Sequence, residues 1–219
     1  MDLNVKLIAV TKPVFENTGC NTAEELVAYA ARVSNPGNQA NTSTAQKLLD
    51  YLMRNRHWSP FEMVSVVMEI NTTRDIARQI LRHRSFSFQE FSQRYASVEE
   101  LGFTKAECRM QDSKNRQNSL ETDDEDLKLR WLQVQDSVLS MARTAYAWAL
   151  DNGLAKEQAR KVLPEGLTNS RVYVAGPLRS WIHFIQVRDD DGVQKETRSI
   201  AKQAKAIICE QFPSIAQSL

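Results

Sequence analysis

The residues best suited to chemistry are arginines and histidines set in short runs among serine, glutamine and aromatic neighbours. Arg82-His83-Arg84 is followed at once by Ser85, Ser87, Gln89, Glu90 and Ser92. Cations closing a helix beside neutral hydrogen-bonding groups make an anion site, and each charge-assisted contact to a phosphate contributes about 1.5–3 kcal/mol. Phe86, Phe88, Phe91 and Tyr95 are interleaved with these cations, so stacking on single-stranded nucleic acid is the rival reading. A second run, Arg179, His183 and Gln186, falls on one narrow stripe of the helix expected over 178–188, at about 100° per residue. Arg188 projects onto the apolar side of that helix, among Leu178, Trp181, Phe184 and Ile185. It either snorkels from a frayed end or holds a guanidinium in a partly dry site, facing a ligand carbonyl or anion. Arg74 and Arg160 read as exposed helix charges. The three histidines, His57, His83 and His183, lie in segments dense in Arg, Ser or aromatics. No carboxylate or cysteine stands at metal-ligand spacing from them, so no metal is expected.

The chain as a whole is balanced. Its 219 residues carry 28 Lys and Arg against 27 Asp and Glu, a formal net charge of +1. That leaves no global field for gripping nucleic acid or an anionic membrane. Hydrophobic residues at 42% and charged residues at 25% match an ordinary globular chain. No window approaches the ~20 apolar residues of a membrane helix. The opening MDLNVKLIAVTKPVFE has too short an apolar stretch for a signal peptide. A cytoplasmic protein of one domain, 1–219, is expected. Cys20, Cys108 and Cys209 are far apart, form no C-x-x-C and read as ordinary thiols. The seven glycines form neither G-x-G-x-x-G nor a Walker loop. The phosphate of any bound nucleotide therefore falls to arginine side chains.

Positioning these groups requires strands over Val5–Thr11, Met63–Ile70 and Arg171–Ala175, where β-branched residues cluster. Helices are expected from a Thr22-Ala23-Glu24-Glu25 capping box to about Arg32, and from a Thr42 or Ser43 cap to Arg54. Further helices are expected over Thr73–Arg82, Leu127–Leu150, Lys156–Leu163, Leu178–Arg188 and Thr197–Phe212. Residues 84–97 lack clean periodicity, and Gly102–Glu125 reads as a polar surface excursion. The order of elements implies an α+β fold with a small, mostly antiparallel central sheet flanked by helices.

Arg82-His83-Arg84, seven further residues, then Ser92-Gln93-Arg94-Tyr95 resembles the signature of the flavin-dependent thymidylate synthases. His57-Trp58-Ser59-Pro60-Phe61-Glu62 resembles the family's H-x-[ST]-P-F-E segment, and Ala77-Arg78-Gln79 its A-R-Q lead-in. Ala159-Arg160-Lys161-Val162-Leu163-Pro164 is similar to its A-R-x-x-L-P helix. Arg179-Ser180-Trp181-Ile182-His183-Phe184 with Arg188 is similar to its R-x-W-x-H-F-x-x-x-R helix. The resemblance implies methylation of dUMP to dTMP, with carbon from 5,10-methylenetetrahydrofolate and electrons from NADPH through FAD. It implies a homotetramer whose active sites draw on more than one subunit. Gln79, Arg82, Glu90, Phe91, Ser92, Gln93, Arg94 and Arg160 would hold dUMP. Ser59, Arg82, His83, Arg84, Glu90, Arg179 and His183 would hold FAD. Arg188 would touch the uracil ring, favour its ionised form and be the catalytic residue. The chain departs from the family pattern at Gln89, Pro177 and Gly192; Gln194 is a candidate to replace the contact missing at Gly192.

Overall fold

The computed structural model describes residues 3–219. In chain order the first elements are β1 (Asn4–Val10), α1 (Ala23–Ala31), α2 (Ala45–Arg54), β2 (Ser65–Thr73), α3 (Arg74–Ile80) and β3 (Ser87–Glu90). A small hairpin follows, β4 (Arg109–Gln111) and β5 (Ser119–Glu121), then the long helix α4 (Glu125–Asp151) and the short α5 (Lys156–Ala159). The chain closes with β6 (Asn169–Pro177), α6 (Leu178–Arg188) and α7 (Lys195–Gln211).

The main sheet has the order β1-β2-β6-β3, and every pairing in it is antiparallel. Strands β2 and β6 form its spine, in unbroken register from Ser65 opposite Pro177 to Thr73 opposite Asn169. Alternate residues on this spine (Val66, Met68, Ile70, Val172 and Val174) are fully buried. They join side chains of α1, α2, α3, α6 and α7 in one core, with Val27, Leu49, Ile76, Trp181 and Ile200 among its members. The opposite face carries charge. The Tyr173 hydroxyl donates to Glu69 at 2.7 Å and the Asn71 amide donates to it at 2.9 Å. These two bonds hold the Glu69 carboxyl below its ordinary range against the opposing effect of burial, with Arg171 and Lys6 adding to the lowering.

Most expected elements form, and the departures have local causes. The Thr22 capping box is present, the Thr22 hydroxyl accepting from the Glu25 amide. The second helix is not capped by Thr42 or Ser43: Asn41 caps a 3-10 turn over Thr42–Thr44, and the α-helix begins at Ala45. Strand β3 lay hidden in residues 84–97 because it is a four-residue edge strand, three of its residues polar, that exists through its pairing with β6. The expected helix over Lys156–Leu163 tightens into a 3-10 turn at Arg160–Val162. Gly102–Glu125 is more than an excursion. Its hairpin is tied to the start of α7 by an Arg109–Glu196 ion pair and by Lys195, which bridges Glu107 at 2.9 Å and Glu121 at 2.7 Å.

One glycine controls how the Arg82–Ser92 segment seats. The Phe86 ring lies against the backbone of Gly176, where a β-carbon would collide with its Cδ1 and Cε1 atoms. Phe86 is buried against Trp181, ring centroids 4.6 Å apart. Gly176→Ala is expected to cost about 1–3 kcal/mol by overpacking, lowering the melting temperature by about 2–12 °C. Calorimetry checks this; an unchanged melting temperature would show that the ring moves aside freely.

Candidate active site

The structure gathers the candidate residues into three neighbouring places. The first is a cleft of about 860 Å³ beside α6. Arg179, His183 and Gln186 all line it, as the shared stripe at positions i, i+4 and i+7 requires. Ser85 and Trp58 line it as well, and exposed Ser59 is the next residue along. Glu62, from the 3-10 turn Ser59–Met63, accepts from Arg179 at 2.5 Å and fixes where that guanidinium stands. Arg56 also lines the cleft and holds a left-handed backbone, φ 57°. Nothing in its sequence context signals this.

The second place lies past the end of α3. Arg188 is half-buried, so the snorkelling alternative does not hold. Its Nε–H donates to His83 Nε2 at 2.8 Å, and its Nη2 donates to the Gln79 carbonyl at 3.4 Å. The Gln79 side chain is clamped at both ends. Its Oε1 accepts from the Thr197 hydroxyl at 2.9 Å, and its Nε2 donates to Gln194 at 2.6 Å. Gln194 therefore meets the Gln79 side chain and does not line the α6 cleft. Thr197 is fully buried and was missed from sequence, where a threonine in a first helical turn looks unremarkable. Burial, then the charge of Arg188, then His183 and Arg82, push the His83 imidazole down to about 4. Burial, then Arg82, also lowers the guanidinium of Arg188. Arg179 and Arg188 are nine positions apart, so at about 100° per position they stand on opposite sides of α6. His83 sits between the two places, edge-on to Phe184 at 5.0 Å. Arg82 and Arg84 flank it, both exposed.

The third place lies towards the other end of α3, a rise of about 10 Å away. Glu90 accepts from the Ser170 hydroxyl at 2.7 Å and from Arg74 at 3.4 Å. Arg74 is therefore not an exposed helix charge: its side chain is 15% exposed and paired with Glu90 and Glu165. The end of β3 meets the first turn of α3, and a helical wheel carries no trace of that contact. Arg94 is exposed and paired with Glu157 of α5 at 3.3 Å, one turn before half-buried Arg160. Ser92 is exposed, and its carbonyl accepts from the amides of Tyr95 and Ala96 in a tight turn. Phe91 is half-buried, and its amide extends the pairing with β6 through the Arg171 carbonyl. Gln93 is buried, and its side-chain Nε2 has no hydrogen-bond partner.

The aromatic run does not form a base-stacking platform. Phe86 is in the core and Phe88 packs against it, which leaves Tyr95 as the strongly exposed ring of the four. Among the described residues no helix is long and apolar enough to cross a membrane, and no group of three or more His, Cys, Asp or Glu is placed to hold a metal.

The model of the thymidylate synthase complementing protein family matches residues 14–214. A probable flavin-dependent thymidylate synthase of Paramecium bursaria Chlorella virus 1 is 51% identical over 217 residues, covering 99% of each chain. A flavin-dependent thymidylate synthase of a Synechocystis species is 48% identical over 218 residues, again covering 99% of each. A UMP/dUMP methylase from Streptomyces cacaoi, solved bound with 5-Br dUMP, superposes with a TM-score of 0.83 at 27% identity, covering 99% of this chain and 94% of that one. The two full-length sequence matches, together with the family match over residues 14–214, place this chain in the flavin-dependent thymidylate synthase family.

Proposed function

We propose that this protein, working as one domain, methylates dUMP to dTMP as a flavin-dependent thymidylate synthase. The observation that carries the reading is Arg188: a half-buried guanidinium with its charge intact, held by the neutral acceptors His83 and Gln79. A carbon can be added at C5 of uracil only if the ring becomes electron-rich. A cation aimed at the N3/O2 edge stabilises that charge, and partial burial strengthens the attraction.

The phosphate of dUMP falls to Arg94 and Arg160, with Ser92 and the backbone of Gln93 and Phe91 beside them. The exposed pair of Arg94 with Glu157 contributes little to stability, so a phosphate dianion can take Arg94 over. Gln79 and Arg82 complete the nucleotide site, and Glu90 keeps the β3 end in place through Ser170 and Arg74. The α6 cleft fits a flavin nucleotide. Its volume lies within the ~300–1,000 Å³ of small-molecule sites, and Arg179, His183 and Ser85 give it donors. Ser59, Arg84, His83, Arg82 and Glu90 are the further candidates to hold FAD. When bound, FAD would supply the two-electron transfer from NADPH to the pyrimidine. The one-carbon unit of 5,10-methylenetetrahydrofolate is thereby fixed at C5 as a methyl group, and tetrahydrofolate and NADP⁺ leave.

A homotetramer with shared active sites explains the separation of the two nucleotide-binding groups along α3. The exposed apolar residues of α4, including Leu132, Met141 and Trp148, supply a surface for such assembly. A cytoplasmic setting accords with three unpaired cysteines.

Purified protein is expected to absorb as a flavoprotein, or to do so once FAD is added. It is expected to convert dUMP to dTMP only with NADPH and methylenetetrahydrofolate both present. A protein that ignores FAD in a spectroscopic titration would overturn the reading.

A further inference from the structure

We propose that His83 is a positioning residue that holds the Arg188 guanidinium in its working orientation without cancelling its charge. The inference rests on the function proposed above and adds a role that flavin contact alone does not give. Arg188 donates Nε–H to His83 Nε2 at 2.8 Å. A ring nitrogen that accepts carries no proton, so His83 is the neutral tautomer protonated at Nδ1. The ring is itself held firmly. It stands edge-on to Phe184 at 5.0 Å and tilted against Phe86 at 6.4 Å, both core residues. The His83 amide also donates to the Ile80 carbonyl at 3.0 Å.

The choice of acceptor matters. Arg74, Arg94, Arg109 and Arg179 all lean on carboxylates, which fixes them but offsets their charge. Arg188 is tied to an imidazole nitrogen and a backbone carbonyl, which fix it and leave the charge whole. Of the five N–H donors on a guanidinium, these two bonds take one at Nε and one at Nη2. Both hydrogens on Nη1 and one on Nη2 are left as a fork for the edge of a planar ligand. Neutrality at His83 is favoured first by burial and then by the facing charge of Arg188, with His183 and Arg82 adding to the lowering. Without the imidazole, Arg188 regains the rotamer freedom of a long side chain.

The test compares His83→Leu and His83→Gln, both saturated with FAD, alongside ¹⁵N NMR of the imidazole in the unsubstituted protein. His83→Leu is expected to lower kcat about 100-fold with the flavin spectrum retained, as misplaced catalytic groups do. His83→Gln puts a carboxamide oxygen near the Nε2 position and is expected to recover kcat to within about tenfold of the unsubstituted enzyme. The NMR spectrum is expected to show the tautomer protonated at Nδ1, with the Nε2 resonance shifting in Arg188→Ala. A protonated Nε2, or a loss confined to FAD affinity with kcat restored at saturation, overturns the inference. Failure of the unsubstituted protein to methylate dUMP counts instead against the function proposed above, and the tautomer bears on His83 alone.

Discussion

Arg188→Ala is expected to lower turnover of dUMP by about 10²–10³-fold while FAD remains bound, the magnitude of losing one donor to a developing oxyanion. The residue sits in a place that makes this separable from folding. Its guanidinium is only half-buried, and its partners are His83 and the Gln79 carbonyl, not the apolar core. Steady-state kinetics with a visible spectrum of each preparation checks the expectation. Turnover near that of the unsubstituted enzyme would remove the ring-activating role. Loss of flavin together with turnover would point to a disturbed α6.

The second large effect comes from the way one chain divides the nucleotide site. Gln79 and Arg188 lie at the C-terminal end of α3, while Arg94 and Arg160 lie towards the other. If each active site joins one group to the other group of a neighbouring subunit, two inactive variants will rescue each other. Arg188→Ala keeps the phosphate cations, and the double variant Arg94→Ala, Arg160→Ala keeps the ring cation. Loss of a charge-assisted phosphate contact weakens dUMP binding about 10- to 150-fold per arginine, so at low dUMP the double variant is nearly silent. After subunit exchange, random mixing gives about one quarter of the sites both intact halves. Activity should rise from near zero towards that fraction. A mixture that stays silent, with exchange shown by mass spectrometry, means that each chain builds its site alone.

The motif-bearing side chains were legible in the sequence for a physical reason. Arg179, His183 and Gln186 share a face because a helix repeats every 3.6 residues, and that face is the one lining the cleft. The same periodicity placed Arg188 on the apolar side, and its burial follows. What stayed hidden were contacts between segments distant in sequence. Thr197 clamps Gln79 across 118 positions, and Ser170 reaches Glu90 across 80. Arg74 looked solvent-facing because nothing in its own helix reveals Glu90 or Glu165. The short strands β3, β4 and β5 went unread because their few residues are shaped by partners and not by propensity.

The passage from β6 into α6 leaves no connecting loop. Pro177 is the last residue of the strand, Leu178 the first of the helix, and the Leu178 amide donates to the Val64 carbonyl at 2.7 Å. The wall carrying Arg179 and His183 is thus a rigid extension of the sheet, with no hinge to absorb movement. Retuning this enzyme towards a different pyrimidine or an altered cofactor would have to proceed by exchanging individual side chains, because lengthening or shortening the backbone here would shear the strand pairing itself.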